Sequence, residues 1–172
     1  MPALWDHSVA VSTLAQRIAN CEGCPKAVLE ECFTAGLLHD LGKVVLLAEL
    51  PQDYLKICTT PQKDGTDPER ELLGCTHAEV GAYLMSIWGL PFPLFHAVAY
   101  HHHPNETAET SFSPLTAVHV ADAIASEADT SLLNHDATLD HEYLARLGLS
   151  DKEGAWRGLY QPSPAVSLNP GR

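Results

Sequence analysis

Positive charge is scarce in this sequence. Its 172 residues hold 10 Lys and Arg against 22 Asp and Glu, a formal net charge of −12. Between Arg70 and Arg146 there is no Lys or Arg at all, while ten carboxylates and eight of the 10 histidines fall in that stretch. Duplex nucleic acid is bound through clustered cations that displace counterions, so no such partner is expected. Long apolar runs are missing too: none approaches the roughly 20 residues that span a bilayer, and no membrane association is expected. The opening MPALWDHSVA lacks a basic segment followed by an apolar one and does not read as a signal peptide. Cysteine is odd in number, at Cys21, Cys24, Cys32, Cys58 and Cys75, which fits reduced thiols and a cytoplasmic setting rather than a disulfide framework. Cys21 and Cys24 form a lone CxxC and read as part of a helix turn, not as half of a zinc site. Neither an internal repeat nor the alternation of half-buried strands is present.

What the sequence does have is helical periodicity and enough apolar residues, 45%, to bury a core. Residues 3–19 carry Leu4, Val11, Leu14 and Ile18 on one stripe, with Pro2 at the helix start. Pro25 opens a second helix through Leu41, with Gly42 placed to stop it. An apolar stretch from Val44 to Leu50 ends at Pro51, a weaker helix covers 53–58, and 59–68 reads as a loop. Helices are predicted over 69–74, 76–88, 92–103 and 113–127, with shorter ones over 140–147 and 151–159. The last residues, QPSPAVSLNPGR, have the composition of a disordered tail. The fold class is all-α, a helical bundle.

The histidines fall on the apolar stripes. Leu4, His7, Val11, Leu14 and Ile18 follow helical spacing, which turns His7 toward the core. Val28, Cys32, Ala35 and His39 share one stripe; Leu29, Phe33, Gly36 and Asp40 share its neighbour. His77 aligns with Val80, Gly81, Leu84 and Trp88. His101 aligns with Leu94 and Val98, His102 with Phe95 and Val98, and Asp122 with Leu115, Val118 and Ala125. A single buried histidine is ordinarily satisfied by a local partner. Five histidines and two aspartates aimed inward from five helices need a shared one, and divalent metal accepts imidazole nitrogen and carboxylate oxygen alike. Seven candidate ligands (His7, His39, Asp40, His77, His101, His102 and Asp122) exceed a tetrahedral structural site and suit two ions, with Asp40 able to bridge them. Two divalent ions with two aspartates would leave the interior net positive, matched to an anionic substrate. Lys43, one turn past Asp40, is placed either to touch a phosphate oxygen or to sit solvated at a helix end.

These residues resemble the HD superfamily of metal-dependent phosphohydrolases. The resemblance runs through His7 in LWDHSVAVSTLA, His39-Asp40 with Lys43 in GLLHDLGK, His77 in THAEVGAYL, His101-His102 in AYHHHP and Asp122 in VHVADAIA. Within it the sequence is most similar to the second half of the HDOD family of bacterial signalling output domains. That similarity implies an HD/HDOD-like helical domain over 1–130, a helical extension over 131–160 and a tail over 161–172. The family's usual first half is absent ahead of His7, so apolar surface left exposed there would favour truncation or a homodimer. The related HD-GYP branch follows its histidine pair with Glu and a Gly-Tyr-Pro loop; here His103, Pro104 and Asn105 follow, which disfavours cyclic di-GMP hydrolysis. His103 reads as solvent-side, His96 and His119 as supporting or surface residues, and His135 and His141 as surface.

The resemblance implies a signal-transduction domain with one or two divalent ions (Fe, Mn, Mg, Ni or Zn) per chain. In the hydrolytic version the substrate is a phosphoester of a nucleotide or another small phosphorylated ligand. Asp40 and Lys43 then carry catalysis, and a water acidified by the ions attacks phosphorus. Two alternatives stand beside it: a regulatory module that acts by contact with a signalling protein, and a di-iron oxygenase on the same ligand set.

Overall fold

A computed structural model describes residues 2–59, 67–128 and 137–161. Most of the expected 59–68 loop, His135 and the tail from 162 onward lie outside the described residues. Among those described, every regular element is helical and none is a strand. The α-helices are α1 (Pro2–Cys21), α2 (Lys26–Leu38), α3 (Leu41–Glu49), α4 (Pro51–Thr59), α5 (Pro68–Leu73), α6 (His77–Ile87), α7 (Phe92–Tyr100), α8 (Pro114–Ser126), α9 (His141–Arg146) and α10 (Glu153–Arg157). Short 3-10 turns cover Pro104–Glu106 and Ser150–Lys152.

Local chemistry sets the helix ends. At the end of α1 the chain reverses at Gly23, whose φ of +72° costs a glycine nothing. There the N–H groups of Gly23 and Cys24 donate to the carbonyls of Asn20 and Ala19, so Cys21 and Cys24 flank a helix turn. Two capping boxes, Thr76 with Glu79 and Ser113 with Thr116, start α6 and α8. Asp67 and Asp140 cap α5 and α9, and Pro68 and Pro114 occupy first-turn positions where a missing N–H is harmless.

The axis of the bundle is α8. All its residues except Ser126 are buried, and it packs against α1, α2 and α7. A helix enclosed on all sides needs small residues where neighbours come close, and ADAIA supplies them. Burial of side chains such as Leu115, Val118 and Ile124 contributes roughly 1.5–3 kcal/mol each. The C-terminal segment joins the same core through Tyr143, Leu144 and Trp156. Trp156 Nε1–H donates to Glu22 Oε1 at 3.0 Å, and Arg17 donates to the Leu159 carbonyl at 3.1 Å.

Three expectations are corrected. The second helix stops at Leu38, not Leu41, because His39 and Asp40 form a two-residue break before α3. Gly42 therefore lies inside α3 and does not end a helix; a Cβ there would overlap the carbonyl of His77. Its neighbour across the crossing, Gly81, lies close enough that its own Cβ would come 3.2 Å from Gly42 N. Finally, Phe33 and Trp88 are exposed (37% and 61%) although the stripes point them inward: Phe33 falls on the solvent side of α2, and Trp88 follows the last residue of α6.

The crossing of α3 and α6 thus depends on glycine. Gly42→Ala should lower stability by about 1–3 kcal/mol or more in urea unfolding, because the backbone contact cannot relax around an added methyl. Gly154→Ala, where a Cβ meets nothing within 4 Å, should be neutral or stabilising. Equal midpoints for the two variants would contradict this account of the crossing.

Candidate metal centre

Five segments meet at one place in the core. His7 comes from α1, His39 and Asp40 from the break between α2 and α3, His77 from the first position of α6, His101 and His102 from the end of α7, and Asp122 from α8. All are buried except His102, whose side chain is 15% exposed. Asp40 sits between two histidines: Oδ2 lies 3.4 Å from His39 Nε2, and Oδ1 lies 3.4 Å from His77 Nε2. Asp122 Oδ1 is 3.0 Å from His7 Nε2 and 3.7 Å from His39 Nε2, while its Oδ2 is 4.0 Å from His102 Nδ1. His102 Nε2 lies 3.2 Å from His77 Nε2. Every residue of the expected set is brought together.

Three of these imidazoles are fixed in the same manner. His39 Nδ1 donates to the Gly36 carbonyl and His101 Nδ1 to the Val98 carbonyl, both at 2.7 Å. His77 Nδ1 donates to the carboxylate of Glu69 at 2.8 Å. Carbonyls and carboxylates only accept, so each ring carries its proton on Nδ1 and turns the lone pair of Nε2 toward the cluster. Two of those nitrogens, His39 Nε2 and His101 Nε2, have no hydrogen-bond partner, nor has Asp40 Oδ1, while Asp40 Oδ2 meets the ammonium of Lys43 at 3.1 Å. Leaving a buried polar atom unsatisfied costs about 1–3 kcal/mol. Three such atoms converging on one point, with Asp40 Oδ2 beside them, fit a metal ion, which takes lone pairs and needs no proton from them. Three groups have ligand atoms within 4.8 Å of one another: His7–His39–Asp122, His39–Asp40–His101 and His77–His101–His102. These buried His/Asp triads are compatible with a metal site.

Electrostatics point the same way. Burial pushes His101 down to about 3, reinforced by His39, and lowers His102 well below the usual imidazole value, reinforced by His101. Burial also lowers His39, against the pull of Asp40 and Asp122. Burial alone would raise both aspartates, but His39, Lys43 and His77 hold Asp40 far below the usual carboxylate range, and the hydrogen bond from His7 with the charge on His39 does so for Asp122. His7 is the exception: burial pulls it down, but its bond to Asp122 together with the charges of Asp122 and Asp40 raises it overall. Ionised carboxylates beside the depressed imidazoles of His39, His101 and His102 make a cation site.

Lys43 settles one open alternative. It is 3% exposed, with Nζ 3.1 Å from Asp40 Oδ2, so it is a buried partner of Asp40 and not a solvated helix-end lysine. His119 is buried as well: Nδ1 donates to the His101 carbonyl at 2.7 Å and Nε2 accepts from the Asp140 N–H at 2.9 Å, which makes it a support for His101. His103 and His141 are exposed, as expected, and half-buried His96 stacks on Phe92 away from the cluster. Sequence reasoning missed Glu69 and Tyr54. Glu69 is buried between His77 and the Tyr54 hydroxyl, 2.7 Å away, yet its short helix carries no stripe that marks it.

Known proteins share this architecture. A family model described as the HDOD domain matches residues 1–104. Ribonuclease Y of Deinococcus radiodurans is 33% identical over 120 residues, covering 70% of this chain and 16% of that protein. The crystal structure of a candidate phosphohydrolase from Shewanella amazonensis superposes with a TM-score of 0.62 at 26% identity, covering 90% of this chain and 59% of that one. The MmoQ response regulator of Methylococcus capsulatus does so with a TM-score of 0.58 at 25% identity, covering 91% and 60%. The chain spans less than a quarter of the length of the curated relatives it matches.

Stability of the metal-free protein should fall in mild acid. His39, His101, His102 and His119 are depressed in the folded chain, whereas the unfolded chain takes up protons near 6.5. Below that pH the unfolded state binds more protons, so stability is complete above about 6.5 and is lost as pH drops toward 3. His7, being raised, contributes in the opposite sense, with stability present below 6.5 and lost as pH rises through its folded value. Asp40 and Asp122 add losses only below their ordinary value of 3.8. Urea unfolding of metal-free protein between pH 7.5 and 5.5 should show a decline that sets in near pH 6.5, with a slope of at most about 1.4 kcal/mol per pH unit for each depressed imidazole, less the single contribution of His7. A flat profile would contradict the burial of these rings.

Proposed function

The chain belongs to the HDOD domain family, and from that footing we propose that its core holds two divalent metal ions and hydrolyses a phosphoester of a nucleotide or similar small molecule. The observation that carries the reading is the convergence of unsatisfied Nε2 and carboxylate atoms, with ring protons tied back on the far side. Two ligand triads share no residue, His7–His39–Asp122 and His77–His101–His102, and the third, His39–Asp40–His101, lies across them. That supports one ion in each, with Asp40 between them, since its two oxygens already face His39 and His77 separately.

When bound, the ions supply Lewis acidity and an acidified water. The chain's own residues do the rest. Asp40, oriented by Lys43, presents one oxygen to each side of the site. Lys43 Nζ lies 3.1 Å from Asp40 Oδ2, where it would meet a phosphate oxygen drawn to the ions. His102 is the one member of the set with appreciable exposure, so substrate approaches past its ring. Phosphoester chemistry suits the names of two relatives, a ribonuclease and a candidate phosphohydrolase.

A second reading, a regulatory module that binds metal without turnover, is favoured by how nearly sealed the cluster is and by exposed Tyr83, Ile87, Trp88 and Phe92 on α6 and α7.

Elemental analysis of tag-free protein should find one to two ions per chain, and Asp40→Ala should lose at least one. Turnover of a phosphodiester and nucleotide panel should vanish in Asp40→Ala and fall on the order of a hundredfold in Lys43→Ala. Protein that takes up none of Mn, Fe, Mg, Ni or Zn sinks the metal reading. Bound metal without turnover of any panel member favours the regulatory module.

A further inference from the structure

Glu69 stands outside the ligand set, yet it is the most fully engaged carboxylate near it. Oε1 accepts from the Tyr54 hydroxyl at 2.7 Å. Oε2 accepts from the main-chain N–H of His77 at 2.6 Å and from the Nδ1–H of the same residue at 2.8 Å. It is 5% exposed, on α5, and Tyr54 on α4 is 2% exposed. The main-chain bond is available because His77 opens α6, where a helix leaves its first N–H groups unsatisfied. One carboxylate therefore grips both the backbone and the ring of one candidate ligand.

This differs from the other anchored rings. His39 and His101 tie Nδ1 to neutral carbonyls three residues earlier, so their orientation is set by their own helices. Of these three rings, His77 alone is tied through Nδ1 to an ionised group from another element. All the partners of Glu69 are donors: a hydroxyl, a backbone N–H and a ring N–H. An amide could meet them only with its oxygen toward His77 and its NH2 toward the Tyr54 hydroxyl, which would have to turn from donor to acceptor, and it would remove the negative charge behind the ring, so a carboxylate suits the position best. A ring protonated on Nε2 instead would turn a lone pair on Nδ1 against the anion, which costs the bond and adds repulsion.

We propose that Glu69, held by Tyr54, is a positioning residue that fixes His77 as the Nδ1–H tautomer and thereby sets metal affinity on the His77–His101–His102 side of the centre. The negative charge behind the ring makes Nε2 a stronger donor, and loss of such an outer carboxylate ordinarily weakens metal binding about tenfold to a hundredfold. It follows that α4 and α5, which contribute no ligand, control one half of the site. The proposal rests on the metal reading for its consequence, but the tautomer itself belongs to the metal-free chain.

Two readouts separate these. Histidine-ring 15N–1H correlation spectra of metal-free protein should show His77 protonated on Nδ1, assigned by loss of the signal in His77→Ala. Glu69→Gln should shift that ring to a tautomer mixture, and Tyr54→Phe should do so to a smaller degree while preserving the fold. With Mn or Zn alone as probe in chelator competition, the wild-type chain should bind in two steps. Glu69→Gln should weaken one step by about tenfold to a hundredfold and leave the other within about twofold. An Nε2–H tautomer in the wild type, or an unchanged tautomer in both variants, overturns the proposal whether or not metal binds. Equal weakening of both steps overturns its assignment to one side. If no metal binds while the tautomer shift is seen, it is the metal reading that fails. If Glu69→Gln does not fold, by circular dichroism, an unaltered tautomer and affinity in Tyr54→Phe overturns the proposal.

Discussion

A helical core has no spare hydrogen-bonding groups. Each helix spends its N–H and C=O groups on itself, so polar side chains turned inward must find one another or a bound ion. This chain turns seven metal-ligand candidates inward at one place and satisfies only part of them. Ring protons go outward, to Gly36, Val98 and Glu69, and lone pairs go inward. The division is imposed by the acceptors: a carbonyl or carboxylate cannot take a lone pair. Once those three rings are fixed, Nε2 of His39 and of His101 and Oδ1 of Asp40 have nowhere to go but the centre, while Oδ2 of Asp40 is met by Lys43. Any ion that binds there adds to folding stability, because the unfolded chain cannot gather the same set.

The packing serves this arrangement. At two crossings the backbones are too close for a side chain: a Cβ on Gly36 would come 2.8 Å from Ser12 Cα, and one on Gly42 would overlap the His77 carbonyl. The first draws α2 onto α1 and so His39 toward His7, whose ring centroids lie 5.3 Å apart. Gly36 also supplies the carbonyl that orients His39. The second draws α3 onto α6 and so brings Asp40, with Lys43 paired to it, up to His77. Replacing either glycine would move ligands as well as helices. The acidic composition belongs to the same logic, since a site of ionised carboxylates and neutral imidazoles inside a chain of net charge −12 concentrates divalent cations before it meets any anion.

Much of this could be read from spacing, and the failures have definite causes. His7 and Asp122 sit within uninterrupted helices, α1 and α8, so periodicity alone turns them correctly. His101 is just past α7, close enough for the same stripe to hold. The stripe of α2, continued, turns Asp40 inward; it is inward, but because the helix has ended and the backbone at φ −97° turns it there. Periodicity cannot see a break that falls at the ligands themselves. Gly42 looks like a stop signal because glycine at a helix end and glycine at a helix crossing are identical in a single sequence. Trp88 fails for a different reason, lying beyond the last turn of α6 where a stripe no longer has a neighbour to face. Glu69 had no signal at all. Its partners, Tyr54 and His77, are 15 residues before and 8 after it, and only the fold joins them.

The boundaries of the site also reach past the segment that defines the family. The matched span ends at residue 104, yet Asp122 and His119 lie on α8. His119 is a strut: as the Nδ1–H tautomer it donates to the His101 carbonyl, and its other nitrogen accepts from Asp140 N–H. Asp140 in turn caps α9 and accepts from Asn105 Nδ2 at 2.6 Å. The C-terminal segment is thereby bonded, through one imidazole, to the backbone of a ligand candidate. A displacement of α9 would release the proton acceptor arrangement of His119 and with it the carbonyl of His101. The centre is held from both flanks, by Glu69 on α5 and by His119 on α8, and neither flank contributes its anchoring residue to the coordination set.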